Sequence, residues 1–135
     1  MFGEKVRSGT TTLTASSGLV STVRDLASFQ LALQHGLLIQ RETLDAAWRA
    51  TPGRPGELLP HGMGWFVQSF NGEKVVWQFG VQDNASSAMV VTLPARGLTL
   101  IMMANSDRLV KPLPLPAGDV SVSPFARVFL SLFAK

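Results

Sequence analysis

Residues 62–79, GMGWFVQSFNGEKVVWQF, decide the fold of this chain. Apolar side chains recur at every second position over residues 63–67, which is the period of a β-strand. Asn71-Gly72 is the residue pair that a type I′ hairpin turn favours. Residues 74–79 are predicted to form the returning strand, so the stretch indicates a β-hairpin.

Two further strands are predicted at residues 87–93 and 98–104, joined by the turn Pro94-Ala95-Arg96-Gly97. Both are almost entirely apolar, which is typical of strands that are covered on both faces. We therefore expect an antiparallel sheet of about four strands, with these two at its centre.

Two helices are predicted before the sheet. Thr22 suits the N-cap of the first helix, with Asp25 as the capping-box acid, and Gly36 suits the position just after its end. Its expected buried stripe is Leu26, Phe29 and Leu33. The second helix is expected over residues 41–49. Its buried side chains are predicted to be Leu44, Ala47 and Trp48.

A third helix is predicted after the sheet. Ser123 suits its N-cap and Pro124 its first helical position. The spacing of its apolar residues predicts a broad face that packs on the sheet, made of Phe125, Val128, Phe129, Leu132 and Phe133. The sequence thus indicates an α+β fold with two N-terminal helices and one C-terminal helix.

The chain of 135 residues suits one domain. Its predicted parts are a polar lead-in (1–17), a helical part (18–51), the sheet (62–105), a proline-rich loop (106–122) and the terminal helix (123–134). Because cysteine is absent, disulfides, thiolate metal sites and a cysteine nucleophile are excluded. The net charge of +3 comes from scattered basic residues, so we expect no nucleic-acid partner. We also expect no membrane span and no signal peptide, since no apolar run is long enough.

Five blocks stand in a characteristic order over residues from about 15 to 135. They are Ser17-Gly18-Leu19-Val20-Ser21-Thr22 with Asp25-Leu26-Ala27 and Phe29, Gly62-Met63-Gly64-Trp65, Val76-Trp77-Gln78-Phe79-Gly80, Leu100 through Ala104-Asn105-Ser106-Asp107, and Ser123-Pro124-Phe125-Ala126-Arg127. In this order they resemble the C-terminal portion of the serine β-lactamase and penicillin-binding-protein superfamily, above all its class C-like hydrolases and esterases. The resemblance implies no cofactor, and it suits a periplasmic or extracellular parent enzyme.

That superfamily carries three catalytic motifs: Ser-x-x-Lys with the nucleophile, Tyr-x-Asn or Ser-x-Asn, and Lys/His-x-Gly on a strand beside the site. A serine hydroxyl attacks well only when a neighbouring base takes its proton, and the oxyanion that forms needs fixed backbone donors. No serine of this chain is followed three residues later by lysine, and tyrosine is absent. The first motif and the tyrosine form of the second are therefore missing.

Only the third motif maps onto this chain, at Gln78-Phe79-Gly80. By the resemblance, Gln78 takes the place of a substrate-facing cation or imidazole, and it offers hydrogen bonds without positive charge. Gly80 would allow the substrate to approach closely, and the Val81 N–H would be an oxyanion-hole donor. The predicted substrate-binding residues are thus Gln78, Gly80 and Val81, with no catalytic and no metal-binding residue.

Other polar residues have a structural explanation as well as a functional one. His35 and His61 are each isolated beside a glycine, so a structural role is favoured over a metal or base role. Asp83-Asn84 suits a polar rim of the site and equally suits a turn, and Asn105-Ser106-Asp107 suits the end of a strand. We expect the three tryptophans in the core: Trp48, Trp65 and Trp77.

Two functions follow as hypotheses. In the first, the chain is the C-terminal part of a β-lactamase-related serine hydrolase. The parent enzyme would hydrolyse a small ester or amide through an acyl-enzyme, and the chain alone would be inactive. In the second, it is a non-catalytic binding or assembly module that forms a homo-oligomer through an exposed sheet edge and apolar surface, as an apolar share of 46% suggests. The substrate and the compartment stay open.

Overall fold

The computed structural model describes Thr14 and residues 18–135. These residues form an α+β fold, as predicted, with two helices before a four-stranded antiparallel sheet and one after it. The elements are α1 (Val23–Gln34), α2 (Arg41–Ala47), β1 (Phe66–Phe70), β2 (Glu73–Gln82), β3 (Ser86–Leu93), β4 (Leu98–Ala104) and α3 (Pro124–Phe133). Apart from Thr14, the predicted polar lead-in lies outside the described residues. Within the described part of the chain, no helix is long and apolar enough to cross a membrane.

The predicted hairpin is confirmed, although its first strand begins at Phe66 rather than near Gly62. Asn71 and Gly72 have φ angles of 51° and 81°, which a type I′ turn requires. The pairing of β1 with β2 ends where Phe66 lies opposite Trp77. Among the described strands, therefore, β1 covers only the first half of β2.

The strand order is β1-β2-β3-β4, so the expectation that residues 98–104 form a central strand is wrong. β3 is buried along most of its length, whereas β4 is only partly buried and lies at the edge. Both faces of β4 are nevertheless contacted: α1 packs near it on one face, and Leu100 and Met102 join the main core on the other. This is why an edge strand has the composition of a central one.

The main core lies on the sheet face that carries Trp77. This side chain is fully buried and stacks with Phe66, at 4.3 Å between ring centroids, and with Phe79, at 6.0 Å. The proline-rich loop contains three short 3₁₀ turns over residues 107–122. It covers the core with three buried side chains: Val110, Leu115 and Val120. The loop is thus an ordered part of the core.

α3 packs on this core through a face that differs from the predicted one. Ser123 caps it as expected, since the Ala126 N–H donates to its Oγ at 3.4 Å. The buried residues are Ala126, Leu130 and Ala134, at i, i+4 and i+8. Four residues of the predicted face are 43–60% exposed, namely Phe125, Val128, Leu132 and Phe133. Because nearly every position of α3 is apolar, spacing alone could not identify the face that the sheet covers.

The opposite face of the sheet is covered in part by α1 and α2. Thr22 caps α1, with the Asp25 N–H donating to its Oγ1 at 3.1 Å. The buried positions of α1 are Gln30 and Leu33, while Phe29, predicted to be buried, is 49% exposed. A second apolar cluster joins these helices to β2, made of Leu33, Leu44, Trp48 and Val76. Val76 is the only buried β2 residue of this cluster. The cluster therefore does not cover the Gly80 end of β2.

Candidate functional site

The three predicted substrate-binding residues lie in the half of β2 that does not pair with β1. The pairing with β1 ends at Trp77, whereas β3 pairs with the other edge as far as Gln82. Gln78, Gly80 and Val81 therefore stand where one edge of a rigid, half-paired strand faces no described strand. A strand edge of this kind presents unpaired backbone groups to an incoming molecule.

The Gln78 amide takes the place of the missing strand neighbour. Its Nε2 donates to the Gly64 carbonyl at 2.8 Å, and its Oε1 accepts from the Phe79 N–H at 2.8 Å. A backbone N–H can only donate and a carbonyl can only accept, so these partners fix which end of the amide is which. Both ends are bonded within the chain, and each keeps one further hydrogen-bonding position for a substrate: the second N–H of Nε2 and the second lone pair of Oε1.

The Val81 N–H points to the open edge. Peptide groups two residues apart along a strand face the same edge. Because the Phe79 N–H meets the Gln78 side chain on the open side, the Val81 N–H faces that side too. The Val81 residue is 45% exposed. A backbone donor held on a rigid strand and open to approach is what an oxyanion hole requires.

Nothing in the described part of the chain requires a glycine at position 80. A Cβ at this position would meet no atom within 4 Å, and its φ lies outside the left-handed region. A side chain here would instead project into the space beside the strand. The small residue thus keeps room for something that approaches β2.

A groove of about 760 Å³ adjoins Gly80 and Val81. We call it the Gly80 groove; it lies among the ends of β2, β3 and β4 and residues 18–21. Met103 belongs to it because Gly80 pairs with Ala88 and Ala88 pairs with Met103, which puts all three on one sheet face. Met103 and residues 18–21 are not among the site residues predicted from the sequence. Strand register could have indicated Met103, but no sequence pattern brings residues 18–21 to this place.

The turn between β2 and β3 is held by charged groups. Asn84, with φ of 56°, donates its N–H to Asp107 Oδ2 at 2.9 Å. Lys111 Nζ lies 3.2 Å from Asp83 Oδ1 and 3.2 Å from Asp107 Oδ2. The Asn84 N–H first, and Lys111 second, hold the pKa of Asp107 below its ordinary value. The structure therefore gives Asp83-Asn84 the role of a turn.

Acid is expected to loosen this turn. Since the folded-state pKa of Asp107 is lowered, its stabilising contribution is complete above its unfolded pKa, about 4, and is lost as the pH falls through the folded value. Amide exchange at Asn84, corrected for the intrinsic pH dependence, should speed up below about pH 4. Asp107→Asn should remove that pH dependence. Protection that is equal at neutral and acid pH in the unaltered chain would contradict this account.

Other candidate residues have structural partners. His35 Nδ1 lies 2.7 Å from the Leu31 carbonyl, and Ser106 Oγ accepts from the Arg108 N–H at 3.2 Å, which starts the turn after β4. A smaller groove of about 270 Å³ contains His35 but none of the three predicted residues. Across Thr14 and residues 18–135, no group of three or more His, Asp or Glu side chains could hold a metal ion.

Ser69-Phe70-Asn71 matches the spacing of Ser-x-Asn, although only the third motif was expected in this chain. It lies at the hairpin turn, where Asn71 Nδ2 donates to the Ala134 carbonyl at 3.1 Å. Ser69 pairs with Lys74, six residues before Gly80 on β2. At about 3.3 Å per residue, this is roughly 20 Å from Gly80. The triplet is therefore part of the turn and lies away from the candidate site.

A comparison against protein-family models identifies the family of this chain. The beta-lactamase family model matches residues 2–117, which include α1, α2, the whole sheet and the Gly80 groove. No curated protein and no solved structure gave a match. The match covers most of the 135 residues. The chain therefore belongs to the beta-lactamase family.

Proposed function

We propose that this chain is the C-terminal part of a β-lactamase-related serine hydrolase and supplies one wall of its active site. The nucleophile and its base would come from residues outside this chain. The observation that carries the proposal is the Val81 N–H on the open edge of β2, beside the Gly80 groove, in a family member without Ser-x-x-Lys.

In the complete enzyme, the carbonyl of a small ester or amide would lie against the open edge of β2. When a serine oxygen attacks the carbonyl carbon, negative charge develops on the carbonyl oxygen, and the Val81 N–H would stabilise it. The leaving group departs and an acyl-enzyme remains, which water then hydrolyses. The strand would thus contribute to both steps without any charged side chain.

The groove gives a reason why the chain alone would be inactive. Among the described residues, three serines line it, namely Ser21, Ser86 and Ser87. Ser87 is buried and donates its hydroxyl to the Ser106 carbonyl. No Lys, His, Asp or Glu lines the groove among the described residues, so none of these serines has a base beside it there.

Reading the DNA upstream of the Met1 codon tests the proposal. An in-frame Ser-x-x-Lys and a Tyr-x-Asn or Ser-x-Asn there are expected. The longer protein, which we call the complete enzyme, should hydrolyse p-nitrophenyl butyrate when expressed from that frame. A stop codon directly upstream, or a longer protein without either motif, would overturn the proposal.

A second candidate function is an assembly module, and one specific observation favours it. The outward face of α3 exposes four large apolar side chains, Phe125, Val128, Leu132 and Phe133. If a second copy covers this face, light scattering should show a dimer, and Val128→Lys together with Leu132→Lys should return it to a monomer. A monomeric unaltered chain at every accessible concentration would contradict this function.

A further inference from the structure

The Gly80 groove carries no charged side chain among the described residues. Its apolar lining includes Leu19 and Val20, which are 84% and 88% exposed, and Met103, which is 39% exposed. Its polar lining consists of uncharged hydroxyl and amide groups, including Ser86 and Asn105. The described surface thus offers a molecule apolar contact and neutral hydrogen bonds.

This lining favours an uncharged ligand over a charged one. A carboxylate that leaves water needs a cation or several hydrogen bonds, or its desolvation is uncompensated. Gln78, which takes the place of the cation in the third motif, is uncharged. Its amide is already bonded to Gly64 and Phe79. A neutral amide or ester has a much smaller desolvation cost on entering such a groove.

We propose that the Gly80 groove accepts an uncharged, largely apolar group of the substrate and discriminates against substrates that carry a carboxylate there. This inference rests on the proposed function in that it takes the ligand of the groove to be the substrate. It narrows the substrate class from any small ester or amide to neutral ones with an apolar acyl or alcohol part.

Two probes of the same shape test the preference on the chain as it stands. They are 4-phenylbutyramide, which is neutral, and 4-phenylbutyrate, which is its carboxylate counterpart. In ¹H–¹⁵N spectra, the amide probe should shift the Gly80, Val81 and Met103 resonances. The carboxylate should bind at least about tenfold more weakly, since its unpaired charge is harder to desolvate.

Adding a cation to the groove should reverse the preference. Met103→Lys places an ammonium group in the lining, and Ser86→Lys does so from β3 in case the first variant folds poorly. Each should bind 4-phenylbutyrate more tightly than 4-phenylbutyramide. Val128→Lys is the matched control, because it adds the same charge on α3, which does not line the groove. The control should keep the neutral preference.

Equal or tighter binding of the carboxylate by the unaltered chain would overturn the inference, and so would the absence of any groove shift with either probe. These outcomes are separate from those of the proposed function, because they measure binding to this chain and need no turnover. A complete enzyme that hydrolyses esters could still fail the probe test. A chain with the neutral preference could equally lack an upstream nucleophile.

Discussion

Replacing Val81 with proline in the complete enzyme is expected to lower kcat by about 10²- to 10³-fold, the usual effect of removing one oxyanion donor. Proline has no N–H, so the substitution removes the group that we assign to the oxyanion. The measurement is kcat for p-nitrophenyl butyrate, with circular dichroism as the check on folding.

The fold should tolerate this change. The Val81 N–H faces the open edge of β2, so its loss breaks no bond of the sheet, and proline is accepted at strand edges. Val81→Ala is the matched control, because it keeps the N–H and removes most of the half-exposed side chain. A Val81→Pro enzyme with kcat within a few-fold of the Val81→Ala enzyme would show that this N–H does not stabilise the transition state.

Replacing Trp77 with alanine is expected to lower the free energy of unfolding by about 3–5 kcal/mol, the range for deletion of a large buried aromatic side chain. Trp77 is fully buried and stacks with Phe66 and Phe79, so its removal leaves a cavity at the centre of the main core. For a domain with a total stability of roughly 5–15 kcal/mol, this is a large fraction. Urea unfolding of the chain gives the value.

Phe125→Ala is the control for this prediction. Phe125 is another large aromatic residue, but it is 59% exposed on α3, so its truncation should cost less than about 1 kcal/mol. A Trp77→Ala loss as small as about 1 kcal/mol would contradict the assignment of the core. A Phe125→Ala loss near that of Trp77→Ala would also indicate that the outward face of α3 is covered in solution.

The locally determined parts of the fold could be predicted from the sequence. Asn71-Gly72 specifies a type I′ turn because both positions require positive φ. Thr22 and Ser123 are N-caps because their hydroxyl oxygens accept from N–H groups within the first turn of the helix. Each of these signals acts over a few residues, so no knowledge of the tertiary packing is needed.

The parts that depend on packing could not be predicted. β4 lies at the sheet edge, but its apolar run has the same composition as a central strand because other elements cover both of its faces. Which elements cover those faces cannot be read from the strand itself. Phe125 and Val128 are exposed, whereas the small residues Ala126 and Ala134 are buried in the main core. In a helix whose only polar positions are Arg127 and Ser131, the sequence does not indicate which of the apolar sides is covered.

Some residues of the candidate site could be predicted from the sequence and others could not. The motif placed Gln78, Gly80 and Val81 on one strand end, and all three lie in the part of β2 that does not pair with β1. The bonds of the Gln78 amide could not be foreseen, because they depend on where β1 stops and where Gly64 lies. The contribution of residues 18–21 to the groove depends on the long-range path of the chain before α1.

The most direct test of the central claim is the site of covalent labelling by an alkyl fluorophosphonate, which phosphonylates activated serines. The complete enzyme and this chain would be treated in parallel and mapped by peptide mass spectrometry. The account predicts one labelled serine in the complete enzyme, within the upstream Ser-x-x-Lys, and no label on this chain. A label on Ser21, Ser86 or any other serine of this chain would contradict it.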